Sequence, residues 1–242
     1  MRRNAAPEVD LSVYVKAVPL LVRNPAIVVV PVLMAVIAVL LRLVMTPYGS
    51  GVGGLTGQLA SFIVILLELF GLGTACIIAD DAWRHGSASF DRGWSEARRK
   101  GGDILFAALG FTLLLSVAQY AGSLIGPLAI VLGVAVIVFL IWTIPAAAVG
   151  GVPGGAAIQE SIDRVRVAPL SAVVAAIVTV ALAVIGVALL SVYLEALLLP
   201  LMGGSSIPPL LVSALLQGIA VGYVALVLTK TYTDAALRPR RW

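Results

Sequence analysis

The chain has 242 residues, of which 61% are hydrophobic and 12% charged. A soluble domain carries about 25% charged residues, so half the usual solubilising surface is missing and an ordinary water-soluble globule is excluded. The net charge of +4 is not a nucleic-acid signal, because basic residues beside membrane helices set orientation and meet anionic lipid.

A bilayer takes about 20 apolar residues per helix, and the chain offers several such runs. A β-barrel would show alternating segments of about 10 residues, and the sequence has none. The class is an all-α polytopic membrane protein. The apolar run that starts near Pro25 and reaches Met45 is longer than a signal-peptide core, so it reads as a retained first span.

Residues Glu8 to Arg23 come first. Val15, Pro19 and Val22 fall at i, i+4 and i+7, on one helical face. This predicts an interfacial helix, bent or broken at Pro19. Asn24-Pro25 turns the chain into span one, Ala26 to Met45.

Thr46 to Gly57 is a glycine-rich loop with a formal G-x-G-x-x-G match at Gly49, Gly51 and Gly54. The dinucleotide fingerprint needs a preceding strand, and here a span precedes it. Span two is expected over Leu55 to Ala79. Asp80 to Asp103 is the most charged stretch, with Phe90, Trp94 and Ala97 on one helical face. Span three is expected over Ile104 to Ala121, a tight turn over Gly122 to Pro127, and span four over Leu128 to Val149. Pro145 predicts a kink near its end.

Ile144 to Pro169 then bends out of the membrane, forms a short water-side helix and bends back. Ile158, Ile162 and Val165 make its apolar stripe. Span five is expected from Pro169 to Leu199, an outer loop from Pro200 to Pro209, and span six from Leu210 to Leu228.

The three water-side segments lie over one another. Val15, Pro19, Val22 and Arg23 match Phe90, Trp94, Ala97 and Arg98, and those match Ile158, Ile162, Val165 and Arg166. The expectation is one membrane domain over residues 1–242, six transmembrane helices as three hairpin repeats, each preceded by a cytoplasmic interfacial amphipathic helix. The repeats cover residues 8–79, 80–150 and 151–232, with a short basic tail over 233–242. Every Lys and Arg except Arg42 lies in the N-terminal segment, the two charged joints or the C-terminal end. The positive-inside rule therefore places both termini and both joints in the cytoplasm.

Few residues offer chemistry. Glu68 lies twelve residues before Asp80, about 18 Å up the helix, where a charge costs about 3 kcal/mol or more. It reads either as an intramembrane ion or proton site or as a partner for Arg42 of span one. Trp83 and Trp94, with Arg84, Arg92, Arg98, Arg99 and Lys100, and with Arg164 and Arg166 on the later joint, read as lipid head-group contacts or as topology determinants. With one histidine (His85) and one cysteine (Cys76), a His/Cys metal site of ordinary spacing is excluded within the chain. No catalytic constellation and no cofactor motif in its proper context is present in the sequence.

Three stretches carry a resemblance. The first is G-x-x-S-F-x-x-G-W before R-K-G-G-D-I-L, Gly86 to Leu105. The second is I-P, a small-residue stretch and then A-x-x-E-S-x-x-x-V-R, Ile144 to Arg166. The third is T-Y-T-D-A-A-L-R, Thr231 to Arg238. Together they resemble uncharacterised bacterial six-span membrane proteins, similar to the membrane domain fused to some glycerophosphodiester phosphodiesterases. The last stretch has an extra residue pair relative to the usual Tyr-x-Asp-Leu-Arg ending. The resemblance implies architecture. In fused relatives hydrolysis belongs to a separate soluble barrel, for which this chain has no room, so that activity does not carry over.

The expected function is a non-enzymatic, lipid-interacting or scaffold module of the bacterial inner membrane. Its partners would be membrane lipid, a second copy or a larger membrane complex, with no nucleic acid and no cofactor. The rival is a small channel or transporter with its acidic site at Glu68.

Overall fold

The computed structural model describes residues 9–45, 55–123, 126, 128–201 and 207–238. The loop holding Gly49, Gly51 and Gly54, most of the turn before Leu128, the centre of the outer loop and the end of the basic tail lie outside the described residues. Every described element is helical. Six helices are long and apolar enough to cross a membrane, and the chain is a multi-pass helical membrane protein.

The first helix, α1, is Ser12–Arg23 and runs unbroken through Pro19. This corrects the expected break. Val13, Ala17 and the following Asn24 are buried, whereas Val15 is 73% and Val22 77% exposed. The Val15, Pro19, Val22 face therefore points away from the other helices. Proline removes one amide from the ladder, and on an exposed face that loss is tolerated.

Spans one and two are α2, Ala26–Met45, and α3, Leu55–His85. The second outruns its expected end at Ala79, because the Arg84–Asp80 ion pair and the His85–Asp81 hydrogen bond, each four residues apart, suit a helix. Gly86 turns the chain at a φ of 76°, a conformation open to glycine. The second surface helix, α4, is Phe90–Arg99, and α5 is Gly101–Ser123.

Span four is broken. α6 is Leu128–Leu140 and α7 is Thr143–Ala148. Pro145 explains the gap, since its ring clashes with the carbonyl four residues earlier, that of Ile141. The third surface helix, α8, is Gly154–Val167. Span five joins α9, Pro169–Val180, through a π-helical stretch, Ala181–Leu189, to α10, Leu190–Leu201. Span six, α11, is Ile207–Ala236 and also outruns its expected end.

The packing centres on α2, α3 and α11, which touch one another. Apolar area alone gives little drive between helices in lipid, so small residues that admit close backbone contact matter most. Gly218 and Gly222 of α11 form such a seam on α2. A Cβ at Gly218 would lie 2.6 Å from the Val32 Cα, and one at Gly222 would lie 3.0 Å from a Val28 methyl. Gly71 of α3 meets Pro31 and Met34 of α2 in the same way. Around this core, α5 packs on α3 and α6, and α9 bridges α6 and α11. Span five is the least buried of the six.

The surface helices all sit at one end. α1 packs on α11, α4 on α3, and α8 on α5 and α7. Each buries small residues: Ala17 on α1, Gly93 and Ala97 on α4, and Ala157 and Ser161 on α8.

Gly218→Val should force α11 off α2 and cost about 1–3 kcal/mol, the usual range for overpacking. Gly133→Ala, where a Cβ meets nothing within 4 Å, should be neutral or stabilising by about 0.4–1 kcal/mol. Thermal unfolding in one detergent checks both. Equal melting temperatures for the two variants would contradict the close seam.

Candidate functional site

The ends of α3, α7 and α11 are tied by side-chain hydrogen bonds to the residues that close α1, α4 and α8. Asn24 follows α1, and Pro25 after it forbids continued helix. Its side chain donates to the Leu20 and Gly86 carbonyls and accepts from the Ala88 amide. Lys100 follows α4, and its ammonium donates to the Ala148 carbonyl at 2.7 Å. Arg164, in the last turn of α8, donates to the Ala235 and Ala236 carbonyls at 3.5 and 3.2 Å. Each donor thus reaches the end of the hairpin that its own surface helix introduces. The last carbonyls of a helix have no intrahelical donor, and a charged donor there is worth about 1.5–3 kcal/mol.

The break in span four is also filled from the surface. Ser161 of α8 donates to the Phe139 carbonyl at 2.9 Å and accepts from the Trp142 amide at 3.2 Å. Trp142 is fully buried, and its indole donates to the Thr231 hydroxyl of α11. Asp103 of α5 accepts the Gly154 amide at the start of α8. The sequence reading gave Asn24 only as part of a turn, and Asp103, Ser161 and Thr231 only as positions in the stretches that carry the resemblance; it gave none of them, nor Trp142, a bonding role.

The residues expected to meet lipid fall into two groups. Trp83 donates to the Leu226 carbonyl of α11 at 2.9 Å. Trp94 is half-buried, stacks on Phe90 and meets Phe70 edge to face. Lys100 and Arg164 are the ties just described, and Arg164 also holds Glu160 at 2.7 Å. These four are built into the protein. Arg84, Arg92, Arg98, Arg99 and Arg166 are exposed. Arg84 pairs with Asp80 at 2.8 Å, while Arg92, Arg99 and Arg166 reach carboxylates only at 3.4–3.8 Å.

Glu68 and Arg42 do come together, with Nη2 to Oε1 at 3.9 Å. Gln217 of α11 adjoins the carboxylate as well. The group therefore stands where α2, α3 and α11 meet. The Arg42 side chain is 64% exposed and that of Glu68 27%, so the pair opens outward rather than into the helix seam.

Two clefts lie among the helix ends on the side that carries the surface helices. One of about 580 Å³ is bordered by Asp80, Arg84, Glu160, Arg164, Lys230 and Asp234. A second of about 330 Å³ shares Asp80 and Arg84 and adds Asp81, Arg92, Glu96 and Lys100. In the first, three carboxylates face three cations, and each carboxylate has an in-helix partner within 2.8 Å. Such a surface suits polar or zwitterionic groups. His85 Nδ1 meets Asp81 at 2.8 Å, but among the described residues nothing is hydrogen-bonded to its Nε2, as a catalytic triad requires. Among the described residues no three His, Cys, Asp or Glu side chains gather to hold a metal.

Comparison with protein-family models, with curated proteins and with solved structures gave no match.

Two substitutions separate the groups. Trp83→Phe should cost about 1–3 kcal/mol, because it strands the Leu226 carbonyl, and should leave lipid preference unchanged. The double change Arg98→Gln, Arg99→Gln should leave stability within about 0.5 kcal/mol. It should also lower enrichment of spin-labelled anionic lipid around the protein about thirtyfold, the two basic groups each being worth about 1 kcal/mol near such a surface. The reverse pattern in unfolding and spin-label measurements would contradict the division.

Proposed function

We propose that this chain is a non-enzymatic, lipid-interacting scaffold of the bacterial inner membrane, with both termini and all three surface helices in the cytoplasm. The observation that carries the reading is the outward face of α1. One side of this helix is fixed to α11. The other presents Leu11, Val15, Val18 and Val22, all more than half exposed, with Lys16 and Arg23 beside them. An apolar stripe flanked by basic residues at the level of helix ends is the chemistry of a helix lying in the membrane interface. The exposed arginines of α3, α4 and α8 would meet anionic head groups on the same side.

The reading includes three repeats, with the first copy moved by one residue from the alignment that the stripes suggest. Ala17, Gly93 and Ser161 are then equivalent, all buried. Asn24, Lys100 and Ala168 are equivalent, each directly following its helix. Asn24 (φ −126°, ψ 68°) and Ala168 (φ −137°, ψ 63°) share one bend before a proline. Association into a homo-oligomer or a larger membrane complex belongs to the same scaffold reading.

A nitroxide attached at residue 22 (Val22→Cys) tests the main claim, because the native Cys76 is buried. Its collisions with oxygen should exceed those with a water-soluble nickel complex. A label relaxed chiefly by the nickel complex would place α1 in water and remove the basis of the reading.

The second reading, a channel or transporter, is favoured by one observation: a carboxylate about 18 Å from the Asp80 end of α3 with Arg42 beside it. Ion or solute flux into liposomes that Glu68→Gln abolishes would establish it. No flux from the wild-type chain would remove it.

A further inference from the structure

Arg42 and Glu68 are the only charged residues within 26–45, 55–79 and 207–229, the apolar lengths of the three helices at the centre of the packing. The fold brings this one cation and this one anion within 3.9 Å of each other across α2 and α3. Gln217 of α11 adjoins the carboxylate. Within one turn of these three residues on their own helices, every neighbour is apolar or glycine except Ser213. Among the elements that pack on α3 and α11, α5 holds Asp103, bonded to Gly154, and Tyr120, while α10 holds Tyr193 and Glu195. Tyr120, Tyr193 and Glu195 are exposed on the outside of the bundle.

Three features decide what such a group can bind. The first is reach. Arg42 stands in the last turn of α2, which ends at Met45, and most of its side chain is exposed. An arginine so placed has a stem long enough to carry the guanidinium to the membrane boundary. Glu68 has no such exit. It lies well inside α3, which starts at Leu55, about 20 Å along the helix from that start. When the guanidinium leaves, the carboxyl group stays in apolar surroundings, where an isolated carboxylate is far costlier than the neutral acid.

The second is the bond itself. At 3.9 Å the contact is Coulombic and too long for a hydrogen bond, so parting the two groups breaks no hydrogen bond between them. The third is the supply of ligands. A hard metal cation takes about six oxygen ligands. Here Glu68, Gln217 and Ser213 are the only residues with side-chain oxygens within a turn of the pair on these helices, and the carbonyls are spent on the helix ladders. A guanidinium at this distance also repels any metal ion. A proton asks for a single oxygen and no coordination shell. Gln217 suits both forms of the acid, because an amide donates to a carboxylate through its NH2 and accepts from a carboxylic acid through its oxygen.

We propose that Glu68 is a proton-binding site in which Arg42 is the exchange arm. A proton from the water on the side opposite the surface helices bonds to a carboxylate oxygen of Glu68. The guanidinium then moves to the head-group level on that side. The ion pair is neutral, so the group gains one positive charge when the proton binds. Release of the proton restores the carboxylate and draws the guanidinium back. The ligand is a proton and not a metal ion. The inference deepens the channel or transporter reading and rests on it for any net movement of protons, whereas the binding step needs only the pair.

The experiment uses the full chain in lipid vesicles and infrared difference spectroscopy between neutral and acidic buffer. Subtracting the Glu68→Gln spectrum removes every other carboxyl group. Wild type should show the carboxylate of Glu68 at neutral pH and gain its protonated-carboxyl band on acidification. Arg42→Met should show that band already at neutral pH, and Arg42→Lys should behave as wild type. Sodium, potassium or magnesium added at constant pH should change neither band. A carboxylate signal that one of these metal ions shifts, and that Glu68→Gln loses, would overturn the assignment in favour of a metal site. An Arg42→Met spectrum that titrates as wild type does would remove Arg42 from the exchange. A wild-type difference spectrum without a Glu68 band would remove the site. Flux into liposomes is measured separately: its absence removes transport and leaves the infrared result standing, so the two failures are told apart.

Discussion

Three polar ties at the ends of the hairpins hold the architecture together. The donors differ in kind: the amide of Asn24, the ammonium of Lys100 and the guanidinium of Arg164. Their job is similar, because each donates to a carbonyl at or just past the end of a span, those of Gly86, Ala148 and Ala236. A helix end that emerges from lipid into a crowded protein surface has neither bulk water nor further helix to bond. The surface helices solve that by bringing a donor on their last turn. This fits the continuation of α3 and α11 for a turn or more past their apolar segments.

The break in span four follows from the same constraint. Pro145 interrupts the ladder inside a largely apolar environment, and the freed backbone groups of Phe139 and Trp142 are taken up by the Ser161 hydroxyl. Non-helical backbone at such a depth is tolerated where protein covers it. Trp142, fully buried, then links the break to α11 through Thr231. α8 is accordingly less a surface ornament than a plug, and its small buried face (Gly154, Ala157, Ser161) is what lets it lie close enough to bond.

Much of this was legible in the sequence. The six spans stood out because their apolar runs are as long as the bilayer is thick. The kink at Pro145 followed from proline chemistry. The nearness of Arg42 and Glu68 followed from two antiparallel neighbours and depth counting. What periodicity cannot say is which of two apolar faces turns inward. On α1, Val15, Pro19 and Val22 share a face as spaced, yet Val13 and Ala17 go inward, with Ala17 admitting the close helix contact that small side chains allow in this setting. Trp83, Trp94, Lys100 and Arg164 carry the composition of lipid contacts, and periodicity could not show that each also meets a partner within the protein. Ser161 stands in a stretch that carries the resemblance, but its bonds across the break were not legible, since a serine near a water-side joint looks solvated until the elements across from it are placed.

All of these ties require the three surface helices to share one side of the membrane. Thiol labelling in intact cells tests that most directly, with single cysteines at Ser95→Cys on α4 and Ala156→Cys on α8. Both positions are exposed, and the native Cys76 is buried. The account predicts that a membrane-impermeant maleimide labels neither in intact cells and both after lysis. Labelling of one but not the other from outside an intact cell would contradict the shared side.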